Sequence, residues 1–480
     1  MPAVEQGDNV SAVSLNTSTA PREDYAEAAR LLQRIENVPF SRWHTKARLI
    51  MGSATFFDAF DALSLAFAMP VLVRLWHLSP GEIGGLIATG YAGQFIGAIA
   101  FGWLAERIGR VPTISIAVAI ASIMSIGCAL SGTPQTLLFV RFVQGIGLGG
   151  EVPTAAAYIN ELSRAKGRGR FFILYEIVFP LGLLTAAQIG SIVVPRLGWE
   201  SIFLLGGVPG FIVLFFMLRL PESPRWLIGR ARYREADGVI QKIEGAAIKM
   251  PPTQSAEDAQ AQVERLEHGL RQSAARRPSW KELFSAMYRP RTLIVWVLWA
   301  CAYFVANGVS NWLPTLYRTV YHLPLKESLH LAATSNVLST CAVLCCALLV
   351  DRVGRRRWAM GTFIVGGALL AVLAAVGAHS YWSVLVLASS AYAVMGTTTV
   401  LLYLYTPEIY PTRMRALGTG MATSWLRVAS ATAPALVGFV LPRFGIASIF
   451  AMFAVVAAIG LVAATRMFET TNRELEEISP

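Results

Sequence analysis

The chain has 480 residues, of which 54% are hydrophobic and only 15% charged, against about 25% charge in an average soluble domain. That balance excludes an ordinary soluble globular protein. The net charge of +11 would suit a nucleic acid if the basic residues shared one surface, but they are dispersed among short loops between apolar stretches, so no nucleic-acid partner is expected.

Residues 1–47 are polar and mixed in charge. No cleavable signal peptide is visible there, and the segment is expected to be a cytoplasmic tail. Twelve apolar stretches follow, each long enough to cross a hydrocarbon core of ~30 Å. They cover roughly 49–74, 83–104, 112–131, 136–159, 171–193, 201–220, 292–317, 329–350, 358–377, 382–404, 417–441 and 447–466. The longest polar stretch, about 225–290, lies between the sixth and the seventh. The expected organisation is an N-terminal six-helix half (48–220), a cytoplasmic linker (221–290), a C-terminal six-helix half (291–467) and a cytoplasmic tail (468–480). Five cysteines (Cys128, Cys301, Cys341, Cys345 and Cys346) fall inside the spans without paired spacing, so neither a disulfide framework nor a metal site is expected. No cofactor is implied.

Arginines cluster in alternate short loops, with Arg107 and Arg110 after the second span, Arg164 to Arg170 after the fourth, Arg352 to Arg357 after the eighth, and Arg413 and Arg415 after the tenth. By the positive-inside rule these loops and both termini face the cytoplasm. The same signals recur at a fixed offset. ERIGR at 106–110 matches DRVGR at 351–355, 245 residues on, and Glu161 with Arg168 matches Glu408 with Arg415, 247 residues on. Two matches at nearly one offset indicate a duplicated six-helix unit. Repeated halves with a site between them near mid-membrane, rocking to give alternating access, are a common build for secondary transporters.

The loop motifs carry a family resemblance. GWLAERIGRV (102–111) and LVDRVGRRR (349–357) resemble the signature of the major facilitator superfamily, and PESPRWL (221–227) resembles the end of the sixth helix in sugar porters. The resemblance covers about 45–467 and departs at Glu106, where the family usually has Asp. It implies an all-α membrane protein of twelve transmembrane helices in two pseudo-symmetric six-helix halves. Carboxylates beside arginines at helix ends can pair in one conformation and separate in another. Glu106, Arg107, Arg110, Glu161, Arg168, Asp351, Arg352, Arg355, Glu408 and Arg415 are therefore expected to form a conformational gate. GIGLGG (145–150) fits a dinucleotide fingerprint in form, yet no strand precedes it. Its glycines, like Gly93 and Gly97, are read as close-packing positions between helices.

Ionisable residues within the spans are functional candidates by default. They are Asp58, Asp61, Arg141, Glu151, Glu176 and Arg427. Asp58 and Asp61 lie three residues apart and share one helix face, where two carboxylates titrate as a coupled pair. Asp61 with Arg141 is read as a proton-coupling pair, with a structural salt bridge as the alternative, and Asp58 and Glu151 as assisting groups. DAFD (58–61) is similar to the first-helix signature of aromatic acid:proton symporters, departing at Ala59. Together with GLGGEVP (147–153) and SWLRVASATAP (424–434) it looks still more like the bacterial niacin transporters, relatives of organic cation and anion transporters and of synaptic vesicle glycoprotein 2.

Arg427 is expected to hold a substrate carboxylate, because a guanidinium stays charged and matches a carboxylate with two parallel hydrogen bonds. A structural partner in Glu151 or Glu176 would satisfy it too. Trp425, Tyr303, Phe304, Asn307, Asn311, Gln144 and Tyr175 complete the expected substrate contacts. The chain reads as a non-enzymatic, proton-coupled importer of a small organic anion, an aromatic or heteroaromatic monocarboxylate such as nicotinate or benzoate, acting as a monomer in a bacterial inner membrane. A sugar or polyol symporter, favoured by PESPR and the repeat and kept open by the amides at Gln94, Gln144, Gln188, Asn307, Asn311 and Asn336, a cation or drug exporter, and a membrane receptor are the alternatives.

Overall fold

The computed structural model describes residues 22–162, 175, 177–246, 260–264, 266–267, 280–410 and 412–470. The N-terminal half contains α1 (Arg22–Asn37), α2 (Arg42–Trp76), α3 (Pro80–Ile108), α4 (Arg110–Ala129), α5 (Pro134–Leu162), α6 (Val178–Leu197) and α7 (Glu200–Met217). Two short helices follow, α8 (Pro224–Gly229) and α9 (Tyr233–Gly245). The C-terminal half contains α10 (Arg289–Thr319), α11 (Leu325–Val353), α12 (Arg355–Val376), α13 (Tyr381–Glu408) and α14 (Thr412–Thr465). A helix satisfies all its backbone groups internally, which is what a hydrocarbon solvent demands.

Ten helices among the described residues are long and apolar enough to cross a membrane. One of them, α14, is two helices joined at Gly445, whose φ of 77° and ψ of 178° break the helical path. Helix α5 is not among the ten, but it packs within the bundle. With it and the second limb of α14, the twelve expected spans are all present. The turns between spans have local causes. Helix α2 stops where His77 takes the left-handed conformation at φ 50°, and α3 starts on a capping box in which the Ser79 amide donates to Glu82 Oε2 at 2.8 Å.

Two features depart from expectation. The tail expected to be merely polar contains α1, whose Ala28, Leu31, Leu32 and Ile35 are buried at helical spacing. The linker contains α8 and α9, whose Trp226, Leu227, Ile228, Ile240 and Ile243 are buried in the same apolar cluster. Polar content hid both helices, because each presents only one apolar stripe.

Within the N-terminal half α3 and α5 touch backbone to backbone. A Cβ added to Gly93 would lie 2.1 Å from the Phe142 carbonyl oxygen, and one on Gly97 2.1 Å from that of Ile146. Gly145 and Gly149 would meet Gly90 O and Gln94 O, also at 2.1 Å. The GIGLGG run is therefore a packing surface. The two halves also meet closely, at the end opposite the arginine loops: a Cβ on Gly84 would be 2.7 Å from Pro434 O, and one on Gly438 2.3 Å from Pro80 O. Every ion pair described at the arginine end stays within one half or lies among α1, α8, α9 and the linker beside them.

Gly97→Val should separate α3 from α5. The melting temperature in detergent should drop markedly, by an amount matching ~1–3 kcal/mol or more of overpacking, while Gly85→Ala, which meets nothing within 4 Å, should leave it unchanged. Equal melting of the two variants would contradict the packing assignment.

Candidate functional site

Among the described residues the intramembrane charges divide between the halves, with Asp58, Asp61, Arg141 and Glu151 in the N-terminal one and Arg427 in the C-terminal one. In the N-terminal half, Ala54, Phe57, Asp58, Asp61, Glu151 and Gly206 line a small cleft. The spacing that puts Asp58 and Asp61 on one face of α2 thus turns both into the bundle. Asp61 Oδ1 accepts from Ser125 Oγ at 3.0 Å, and it has room only because residue 206 is glycine: a Cβ there would lie 2.3 Å from the same oxygen. Glu151 Oε1 accepts from Thr55 Oγ1 at 3.1 Å, and Thr55 Oγ1 is 2.7 Å from the Tyr175 hydroxyl.

The expected Asp61–Arg141 pair is not a direct one. Among the described residues no ion pair joins them. Gln144 Oε1 accepts from Arg141 Nη1 at 2.7 Å, while its Nε2 is buried without a hydrogen-bond partner. Arg141 acts on Asp61 only through its charge, with Gly90 leaving space for the guanidinium.

Across the interface, on α14, Arg427 is 9% exposed. Its Nη1 donates to Thr423 O at 3.4 Å and its Nη2 to Gly149 O, in the other half, at 3.3 Å. Both bonds are long, and the buried Nε has no hydrogen-bond partner. The groups acting electrostatically on this guanidinium are Tyr403, Asp58 and Tyr303. Around it the C-terminal half assembles an aromatic wall. Trp299 stacks on Tyr303 at 5.5 Å and 11°, meets Tyr403 edge-on at 4.7 Å, and donates from Nε1 to Thr406 Oγ1 at 2.9 Å. Trp425 leans on Trp296 at 5.5 Å.

Of the expected substrate contacts, Tyr303 thus stands in the region of Arg427, whereas Trp425 is 38% exposed and leans on Trp296. Others are placed elsewhere or engaged. Tyr175 is fully buried in the apolar cluster beneath α1 and α8, on the Thr55 side of Glu151. Phe304 packs against Phe453 at 5.9 Å. Asn307 donates to Ser430 Oγ at 2.6 Å, and Asn311 donates to Asn307 O at 2.8 Å and to the Tyr91 hydroxyl, across the interface, at 3.3 Å. Gln144 serves Arg141. The proximity of Asp58 to Arg427, and the parts played by Trp299, Tyr403 and Ser125, did not emerge from sequence; the aromatics are one turn from Tyr303 or on another span, so only the folded interface brings them together.

The residues expected to form a gate do gather at the arginine end. In the N-terminal half Arg110 donates through Nη2 and Nε to Glu161 Oε1 at 2.8 and 3.1 Å and pairs with Glu106 at 2.9 Å. In the C-terminal half Arg355 reaches Glu408 at 3.5 Å. Arg107 lies 3.9 Å over the Trp103 ring and Arg352 is exposed. Arg168, Glu176 and the side chains of Asp351 and Arg415 lie outside the described residues. Two further carboxylates complete the symmetry. Glu222 accepts the amides of Arg110 and Val111 at 3.0 and 3.2 Å, and Glu469 those of Arg355 and Arg356 at 2.9 and 3.1 Å. Each caps the N-terminus of a helix that follows a glycine at positive φ, Gly109 at 108° and Gly354 at 94°. Glu222 and Glu469 are 247 residues apart, the offset that relates Glu161 to Glu408. Burial pushes the Glu222 carboxyl up, while the three amides it accepts pull it back.

The family model described as "Sugar (and other) transporter" matches residues 62–480. The chain belongs to this transporter family. It is therefore a major facilitator superfamily transporter, a multi-pass membrane protein, and not an enzyme. The niacin transporter NiaP of Acinetobacter baylyi is 32% identical over 457 residues, covering 93% of this chain and 99% of that protein. The 4-hydroxybenzoate transporter PcaK of the same organism is 26% identical, covering 82% and 85%. Among solved structures, the partially occluded inward-open xylose transporter XylE of E. coli superposes with a TM-score of 0.70 at 19% identity, covering 90% of this chain and 100% of that one. That likeness supports the twelve-helix major facilitator fold seen here.

Proposed function

We propose that this transporter takes up a small organic anion, an aromatic or heteroaromatic monocarboxylate such as nicotinate or benzoate, in symport with protons and by alternating access of a monomer. The observation that carries the reading is Arg427. A buried guanidinium whose only described hydrogen bonds are two long ones to carbonyls is costly, and a carboxylate received in its planar fork offsets that cost. Trp299, Tyr303 and Tyr403 supply flat apolar area for a ring beside the charge. The niacin and hydroxybenzoate transporters among the relatives favour the same class of cargo. Of the amides that argue for a sugar, Asn307, Asn311 and Asn336 each donate to another group of the protein.

Proton coupling follows from which charges share the interface. Asp58 acts on Arg427 from the other half and on Asp61 from its own helix. While Asp58 is ionised it competes with an incoming anion for Arg427; once protonated it ceases to compete, so proton and anion load together. Asp61, which feels the charge of Arg141, is the second member of the proton site, with Glu151 lining the same cleft. The arginine loops, both termini and the linker between the halves face the cytoplasm.

Three measurements test this reading. In a binding titration with nicotinate and benzoate, Arg427→Ala should weaken affinity by at least ~30-fold, the lower end for removing one partner of a buried charge pair, and Arg427→Lys should weaken it less but clearly; unchanged affinity in the Ala variant would refute the anion site. In proteoliposomes, Asp61→Asn should abolish uptake driven by a pH gradient yet preserve substrate exchange, which needs no net proton movement, and equal loss of both would return Asp61 to a structural role. Cysteines introduced near residue 260 should resist impermeant reagents added to intact cells, and rapid labelling from outside would invert the topology.

A further inference from the structure

Helix α1 has no part in the reading so far, and its contacts give it one. Its apolar stripe, Ala28, Leu31, Leu32 and Ile35, is buried against α8 and α9 in a single cluster with the base of the N-terminal half. Its polar side is anchored as well. Arg34 forks onto Glu244 with Nε and Nη2 at 2.9 and 2.7 Å and reaches Asp237 at 2.5 Å, so α1 and α9 are clamped to each other. The adjoining carboxylate, Glu36, receives Arg225 Nη2 at 2.5 Å.

Arg225 is the informative partner. Its side chain is 2% exposed, and its Nε donates to the backbone carbonyl of Glu161 at 2.9 Å. Glu161 is the residue whose carboxylate holds Arg110, and Arg110 begins α4, where its amide is capped by Glu222. A continuous series of charge-assisted contacts therefore runs from Glu36 on α1, through Arg225 on α8 and Glu161 on α5, to Arg110 on α4. A buried guanidinium must keep a counter-charge. Without Glu36, Arg225 has Glu161 as a nearby carboxylate, and a shift of that carboxylate toward Arg225 takes it away from Arg110.

We propose that α1 is a strap that fixes the α8–α9 cap to the N-terminal half, and that Glu36 is a positioning residue for the gate, holding Arg225 off the Glu161 carboxylate so that Arg110 retains it. This goes beyond the substrate reading and rests on that reading only in supposing that the gate changes state during transport. Glu36 is at the arginine end, far in sequence and in the bundle from Arg427, so it acts on the rate of conformational exchange and leaves substrate binding alone.

The test uses the full-length protein in proteoliposomes. Glu36→Gln should lower the maximal rate of nicotinate uptake on the order of tenfold, within the range by which residues of a coupled network modulate a two-state element, with KM unchanged; Glu36→Asp should restore most of the rate. A second readout needs no transport: in a thermal-stability cycle, Glu36→Gln and Arg110→Gln should be non-additive, although the two residues do not touch, because each empties the same network. Additive melting shifts, or an unchanged maximal rate in Glu36→Gln, would overturn the proposal. Should the wild type carry no carboxylate, the substrate reading fails while the stability cycle still decides whether Glu36 is linked to Arg110.

Discussion

Charge in hydrocarbon is the constraint on which this structure depends. Placing an ionised aspartate or arginine at the centre of a lone transmembrane helix costs about 2.5–3.5 kcal/mol even on insertion scales, and the described bundle contains Asp58, Asp61, Arg141, Glu151 and Arg427 at buried positions. Such groups need polar partners, and four of the five have them in described hydrogen bonds. Asp61 takes Ser125 from α4, Arg141 takes Gln144 one turn along α5, Glu151 takes Thr55 from α2, and Arg427 takes a carbonyl of α5. These requirements tie α2, α4 and α5 into one half and leave Arg427 bridging to the other. Small residues make the meetings possible, since Gly206 and Gly90 leave room for the Asp61 carboxylate and the Arg141 guanidinium.

The arginine end follows a different logic, written twice. A positive-φ glycine turns one helix into the next, a carboxylate from a distant segment caps the new N-terminus, and the arginine at its start reaches a glutamate at the end of another span. The N-terminal version is shorter and better paired, at 2.8 Å for Arg110–Glu161 against 3.5 Å for Arg355–Glu408. The N-terminal half also has α1 and Arg225 behind its glutamate, whereas in the C-terminal half Thr470 donates to Glu408 at 2.5 Å. A duplicated unit has thus been elaborated on one side, and the two copies of the gate need not respond alike.

Much of this was legible in the chain, for physical reasons that also explain the rest. Span length and the arginine loops are single-helix properties, so ten of the spans and the duplicated motifs stand out at once. Helix α5 is legible despite Arg141 and Glu151 because the whole stretch 136–159 remains predominantly apolar. Pairings between helices are another matter. An Asp and an Arg on facing spans suggest a direct bridge, but Asp61 bonds to Ser125 and Arg141 to Gln144, and no spacing rule distinguishes contact from mere proximity. Tyr175 looked like a cavity residue because it is polar and intramembrane; its hydroxyl instead closes a buried triad with Thr55 and Glu151. Glu222 and Glu469 were in view as parts of PESPR and of the C-terminal tail, and the 247-residue offset would have paired them, had capping glutamates been sought outside the spans.

The division of charges between the halves has a mechanistic consequence. The carboxylates of the cleft belong to α2 and α5, and the guanidinium with its aromatic wall belongs to α10, α13 and α14. Neither half alone holds both Asp58 and Arg427, the groups to which the proposed reading gives the proton and the anion. Electrostatic coupling between them therefore depends on how closely the halves approach, and it strengthens as water leaves the space between them, because the effective dielectric falls. A rocking motion that brings Asp58 toward Arg427 is favourable when Asp58 is charged and no anion is present. On the proposed reading it is also favourable when Asp58 is neutral and an anion neutralises Arg427, but it would leave an uncompensated buried charge in either mixed state. Under that proposal, crossing would be restricted to the empty and the fully loaded carrier, because Asp58 and Arg427 come from opposite halves.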